Sequence, residues 1–149
     1  MDIKKELLKA CISFVEKREQ TIQKTIVSNQ KALVSETKSS AGDKHETGRA
    51  MLQLEMEKAG QQLASIILLK TTLQKVDIES VSQTIRLGSL IITNRGNYFL
   101  AISIGKISIE NTSYFVVSAV SPIGKLLLGK QKGAAFVFNG MKFQIQKVN

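Results

Sequence analysis

Two apolar-periodic stretches of this chain mirror each other about one short polar segment, Ser39-Ser40-Ala41-Gly42-Asp43-Lys44-His45-Glu46. Counting outward, Leu33 faces Leu52, Ile26 faces Ala59, Ile22 faces Leu63, Val15 faces Lys70 and Ile12 faces Leu73, and each pair of numbers sums to 85. One reversal near Gly42 and Asp43 therefore brings every pair into register. Ile3 to about Glu36 has no Gly or Pro, and Leu8, Cys11/Ile12, Val15, Ile22, Ile26, Asn29 and Leu33 recur at steps of three and four, the signature of an amphipathic helix. Leu52, Met56, Ala59, Leu63, Ile66 and Leu73 repeat it between Thr47 and Lys75. Two long helices with a short connection pack antiparallel, and at 1.5 Å per residue they make an arm of about 45–50 Å. Ala59 and Ala64 are expected to permit close approach. Asn29, opposite Met56, is expected to fix register at some cost in stability. Ile66-Ile67-Leu68-Leu69 is apolar all round, so another domain is expected to cover it.

Beyond Val76 the period changes from helical to alternating. Ile85–Ile92 and Tyr98–Ile104 read as strands about a turn at Thr93-Asn94-Arg95-Gly96-Asn97, and Thr112–Ala119 reads as a third strand. Ser121-Pro122 opens a short helix, with Ser as N-cap, Pro at the first helical position and Gly129 as its end. Phe136-Val137-Phe138, Asn139-Gly140 and Lys142-Phe143-Gln144-Ile145 read as a hairpin, because Asn-Gly supplies the positive φ that a tight turn needs. The expected class is α+β: a helical hairpin over 1–76 with its tip near 39–46, then a small, mainly antiparallel β domain over 77–149.

The charge of +9 favours anionic partners without choosing among them. It is spread as +4 before Asp77 and +5 from there on, with no continuous cationic run. A single cysteine, Cys11, rules out an internal disulfide and a thiolate-clamped zinc, and suits a reducing compartment. There is no run of about 18 apolar residues for a membrane span and no signal-peptide core at Met1–Glu6. Without an export signal the acceptor pattern Asn111-Thr112-Ser113 carries no meaning. The expectation is a cytoplasmic protein.

Both halves, in this order, resemble the bacterial Gre transcript-cleavage factors. The tip Gly42-Asp43-Lys44-His45-Glu46 matches the family's Gly-Asp-x-x-Glu. Ser121-Pro122-Ile123-Gly124-Lys125-Leu126-Leu127-Leu128-Gly129-Lys130, with a terminal hairpin ending Ile145-Gln146-Lys147-Val148, matches its C-terminal signature. The resemblance implies an FKBP-like C-terminal domain that docks on RNA polymerase through Ser121, Pro122, Ile123 and Lys130. It implies a hairpin that enters the secondary channel, and tip carboxylates Asp43 and Glu46 that help hold a Mg²⁺ and a water while the polymerase hydrolyses backtracked RNA. Mg²⁺ would be present only in the complex, and the isolated monomeric chain would hold no cofactor and no small-molecule substrate. After the Glu the family commonly has Asn-Ala-Glu-Tyr. This chain has Thr47-Gly48-Arg49-Ala50, which removes groups that would position the tip and reverses one local charge.

Other readings of the same residues stand beside these. Asp43 and Glu46 also form a capping-box pattern, with a Glu three residues after an N-cap side chain. His45 is a titratable group between two carboxylates or an exposed loop residue. Lys38, Lys44 and Arg49 reach the phosphates of the nascent RNA 3′ end or the polymerase, or are solvated charges at helix ends. Cys11 lies on the apolar stripe as a small hydrophobe, and Tyr98, Phe99, Tyr114 and Phe115 sit on strands as packing residues. Gly129-Lys130 lacks the upstream glycines and the following Ser/Thr of a phosphate loop. A lone Cys11 and a lone His45 do not make an activated nucleophile. A prolyl isomerase pocket has no Trp and no argued aromatic lining. Two non-enzyme readings therefore lead: a factor that assists cleavage, and one of the same shape that only blocks the channel.

Overall fold

The computed structural model describes residues 2–38 and 43–149, with side chains described up to Glu36 and again from Thr47. Its elements are α1 (Ile3–Lys38), α2 (Asp43–Gln74), β1 (Leu90–Thr93), β2 (Gly96–Ala101), β3 (Gly105–Ile109), β4 (Thr112–Ser118), α3 (Pro122–Leu127), β5 (Ala135–Phe138) and β6 (Met141–Val148). The fold is α+β, with a long helical region followed by a six-stranded, mostly antiparallel sheet carrying one short helix. Two compact units divide the chain. One is Val15–Lys70; the other joins the N-terminal turns of α1, up to Phe14, with Thr71–Asn149.

In the helical unit the covered residues of α1 are Val15, Glu19, Ile22, Ile26, Asn29, Leu33 and Glu36, flanked by Ala32. Those of α2 are Gly48, Leu52, Met56, Ala59, Leu63, Ile66 and Lys70, flanked by Leu69. Both series step by three and four, the spacing of a coiled-coil seam. Lys70 Nζ lies 2.6 Å from a Glu19 carboxylate oxygen, one helical turn from Val15. At the other end a side-chain carbon on Gly48 would come within 3.3 Å of the Glu36 carboxylate. These two contacts make α1 and α2 antiparallel neighbours. The reversal at 39–42 itself lies outside the described residues.

Three sequence expectations are corrected here. Ile12 is 42% exposed while Cys11 is fully buried, because Leu7, Cys11, Val15 and Glu19 follow one another at steps of four. Successive four-residue steps rotate the covered line against a 3.5-residue repeat, which turns Ile12 outward. Ala64 is exposed and only Ala59 sits in the seam. Of the run Ile66–Leu69, Ile66 is buried, whereas Ile67 and Leu68 are 54% and 69% exposed.

The sheet runs β3-β4-β2-β1-β6-β5, and β2 and β4 are its one parallel pair. Its core packs Ile85, Ile91, Tyr98, Leu100, Ile123, Leu127, Phe136, Phe143 and Ile145. Phe143 is the hinge of an aromatic group, stacked on Phe136 at 5.0 Å and edge-on to Tyr98 and Phe138. The tight turn at Asn139-Gly140 has positive φ at both residues (51° and 75°), as a two-residue hairpin between right-twisted strands requires. The turn between β1 and β2 is fastened to β6: Asn94 Oδ1 accepts from the Gln144 amide at 2.7 Å, and Arg95 Nε donates to the Lys142 carbonyl at 2.7 Å.

The first expected strand begins only at Leu90. Ahead of it Ile85 exchanges backbone bonds with Gly129 and Lys130 (2.9 and 2.8 Å), and the chain then turns at Gly88. That glycine has φ +95°, and a side-chain carbon there would meet the Asp77 carbonyl at 2.4 Å. β3 was not anticipated. It pairs with β4 on the far side from β2, so only Ile102, Ser103 and Ile104 separate two strands that are not neighbours.

Candidate functional site

α2 starts at Asp43, so Asp43 and Glu46 stand three residues apart in its first turn, where residues at that spacing share a face. Acidic groups near a helix N-terminus and a cation near a C-terminus both oppose the helix dipole; Lys38 closes α1. That arrangement has a structural rationale whatever else the carboxylates do. The side chains of Lys38, Asp43, Lys44, His45 and Glu46 lie outside the described residues.

The next turn of α2 is described. Thr47, Arg49 and Ala50 are exposed and Gly48 is half-buried. A side-chain carbon on Gly48 would sit 3.3 Å from the Glu36 carboxylate, a tight contact with the end of a flexible side chain. Glu36 is therefore a half-buried carboxylate beside the start of α2 that sequence reasoning missed. The signal for it was positional: Glu36 continues the covered series three residues after Leu33. Among the described residues no group of three or more His, Cys, Asp or Glu is arranged to hold a metal.

In the sheet unit the residues expected to dock have distinct roles. Ser121 caps α3: its Oγ accepts from the Gly124 amide at 3.1 Å and donates to the Ser118 carbonyl at 2.6 Å. Pro122 is exposed at the first helical position, where its missing N–H costs nothing. Ile123 is 8% exposed and packs in the core. Lys130 is half-buried, with its ammonium 5.7 Å from the Phe136 ring centroid, within cation–π range. Gly124 explains the spacing of this motif, because a side-chain carbon there would lie 1.9 Å from the Ser118 carbonyl oxygen.

A polar cluster in the same unit was not foreseen. Asp77 accepts from the Ser80 hydroxyl and from the amides of Glu79 and Ser80, and Arg86 lies 3.6 Å away and also bonds Ser80. The Ser80 hydroxyl bond, then the two amides, then Arg86 hold the Asp77 carboxyl down at about 2. Lys4 is buried, and burial lowers its pKa, with Arg86 acting the same way and Asp77 and Asp2 opposing. Cys11 is buried as expected, and desolvation pushes its thiol up to about 11, so it carries little thiolate character. No helix among the described residues is long and apolar enough to cross a membrane.

Comparison with protein-family models and with curated proteins gave no match to this chain.

Proposed function

We propose that this protein is a Gre-like accessory factor of RNA polymerase, whose arm enters the secondary channel and assists hydrolysis of backtracked RNA by the polymerase. The observation that carries the reading is the matched seam of α1 and α2. It supports a thin two-helix arm with Asp43 and Glu46 at the end opposite Val15 and Lys70. From Val15 to Lys38 α1 rises about 36 Å, a reach that suits delivery of groups into a narrow passage. The sheet unit is then an FKBP-like docking base, presenting Pro122 and Lys130, and the protein acts as a cytoplasmic monomer.

Two hard carboxylates on one helix face suit Mg²⁺, which binds proteins through one or two such groups and keeps several waters. Asp43 and Glu46 would be the residues that share it with the polymerase, and its chemistry is Lewis-acid stabilisation of charge in phosphodiester hydrolysis. This chain's own contribution is to bring those oxygens to the reaction on a stiff rod. Lys38, Lys44 and Arg49 supply positive charge for the nascent RNA 3′ end. The test is transcript cleavage by a stalled polymerase complex with wild-type protein and with Asp43→Asn/Glu46→Gln. Stimulated cleavage that the double variant loses, with polymerase binding retained, supports the reading; undiminished cleavage removes the carboxylates from the chemistry.

The exposed Thr47, Arg49 and Ala50 favour a second reading. With the family's Asn, Glu and Tyr replaced there, the arm acts by occupying the channel. Wild-type protein and the double variant would then slow nucleotide addition equally.

A further inference from the structure

The outer face of α1 bears a second seven-residue repeat that neither the seam nor the proposed tip chemistry uses. Lys17, Lys24 and Lys31 are exposed and lie in one line along the helix. Successive lysines are about 10.5 Å apart. Beside the line run Val27 and Val34, 49% and 53% exposed and also seven residues apart. An open groove of about 500 Å³ follows this face, lined by Gln20, Gln23, Lys24, Val27, Ser28 and Lys31.

Helix lysines on soluble surfaces are commonly offset by acids three or four residues away. Here every such position of Lys17, Lys24 and Lys31 is neutral: Ser13, Phe14, Gln20, Thr21, Val27, Ser28, Val34 and Ser35. None of the three ammoniums has an ion-pair partner among the described residues. Of the acids of this stretch Glu16, one residue before Lys17, is exposed, whereas Glu19 and Glu36 turn inward. Glu19 binds Lys70 and Glu36 lies against Gly48. From Lys17 to Val34 the outer face thus carries positive charge and no exposed acid, with apolar methyl groups between the charges.

We propose that this face of α1 docks an acidic amphipathic helix of a partner protein. A helix laid along α1 repeats at the same rise, so carboxylates recurring every seven residues meet the lysines one for one. Apolar residues recurring beside them cover Val27 and Val34, which is the helix-on-helix mode of recognition. A nucleic acid fits less well. Duplex DNA carries a charge about every 1.7 Å of axis, far denser than this lysine row. From Lys17 to Val34 the face has no aromatic side chain on which bases could stack, and a phosphodiester backbone gains nothing from two valines. The proposal does not depend on polymerase binding or on Asp43 and Glu46.

The test uses the full chain and a synthetic helical peptide of about three heptads, with Leu at one heptad position and Glu beside it. A single-stranded RNA and vesicles containing phosphatidylserine are titrated in the same buffer. Expected are binding of the acidic peptide and a loss of about tenfold or more in Lys24→Glu/Lys31→Glu. A peptide with Lys in place of Glu should restore binding to that variant. Val27→Ser/Val34→Ser should weaken the acidic peptide as well. All four positions are exposed, and unchanged circular dichroism melts verify that the variants remain folded. The proposal is overturned if the acidic peptide does not bind, if RNA or vesicles bind more tightly than it does, if the charge swap gives no rescue, or if the valine variant binds as well as wild type.

Discussion

The arm and the sheet unit of this molecule are stabilised in different ways. Among the described residues of Val15–Lys70 the fully covered ones are few: Val15, Asn29, Ala59 and Ile66 are buried, and the rest of the seam is half-exposed. Each helix satisfies its own backbone, so the seam needs only to fix how two rods lie together. In the sheet unit nine buried side chains pack in one cluster, around which partly buried residues close. There two of the five strand pairs, β1 with β6 and β2 with β4, join strands that do not follow one another in sequence, and such bonds are strengthened where that cluster excludes water. A thin seam tolerates substitution where a sheet core does not. It also leaves most of the arm's surface free for recognition.

The largest expected effects test this contrast from the sheet side. Phe143→Ala removes the ring that contacts Tyr98, Phe136 and Phe138, and truncation of a buried Phe costs about 3–5 kcal/mol. Gly124→Ala forces a methyl group into the Ser118 carbonyl. Neither backbone segment can yield cheaply, and overpacking of this kind costs about 1–3 kcal/mol or more. Near-ultraviolet circular dichroism reports the Tyr residues of the sheet unit, Tyr98 and Tyr114, while the far-ultraviolet helix signal is dominated by α1 and α2. Both variants should lose the aromatic signal at lower denaturant than wild type. Equal resistance of Gly124→Ala and wild type would mean that the α3 turn shifts without penalty.

On the arm side the effects are smaller and one has the opposite sign. Ile66→Ala, in the seam at 3% exposure, is expected to cost about 2–3 kcal/mol, the lower part of the range for buried Ile. Asn29→Leu should stabilise the arm by about 1 kcal/mol. The Asn29 Nδ2 is buried without a hydrogen-bond partner, and an unmet buried donor carries a penalty of about 1–3 kcal/mol that an apolar side chain does not. The gain comes with a loss of register, since a polar seam residue excludes slipped pairings. Higher melting of Asn29→Leu together with a mixed oligomeric state in sedimentation would bear this out; lower melting would mean that Asn29 contributes to the native seam.

The sequence revealed the arm far better than the sheet, because the two are held together in different ways. The seam is a one-dimensional pattern, so most of its covered positions, from Val15 to Leu33 on α1 and from Leu52 to Lys70 on α2, were legible by position alone. It failed at Ile12, where the repeat drifts, because period drift depends on how the helix continues rather than on any one residue. In the sheet, turn chemistry at Asn139-Gly140 and Ser121-Pro122 was legible because it is local. β3 was missed although Lys106-Ile107-Ser108-Ile109 alternates and Glu110-Asn111 takes positive φ at its turn. The parallel contact of β2 with β4 follows from where β3 lies, which no local pattern states. At the candidate site Asp43 and Glu46 were visible as a motif. Glu36 was not, because a carboxylate on an apolar series reads as an interruption until it is seen to lie against Gly48. Asp77 escaped notice because two of its partners are backbone amides, which leave no mark in a sequence, and because Ser80 and Arg86 form no motif with it that can be read by spacing.

Asp77 gives the smallest expected effect, and one confined to the sheet unit. Its carboxyl is held at about 2 against an ordinary 3.8, by the Ser80 hydroxyl and the Glu79 and Ser80 amides with Arg86 beside them. A folded-state pKa below the unfolded one means that the unfolded chain binds the proton more readily. The contribution is therefore complete above the ordinary carboxylate value and is lost as pH falls from about 4 toward 2. Asp77→Asn should melt slightly below wild type at neutral pH, and the two should converge as the pH drops through that window. Because Asp77 is solvent-exposed, added salt should narrow the part of the difference due to Arg86 and leave the part due to the amides. A difference between the two proteins that stayed constant from neutral pH to below pH 2 would show that the segment after α2 is held by packing rather than by the Asp77 carboxylate.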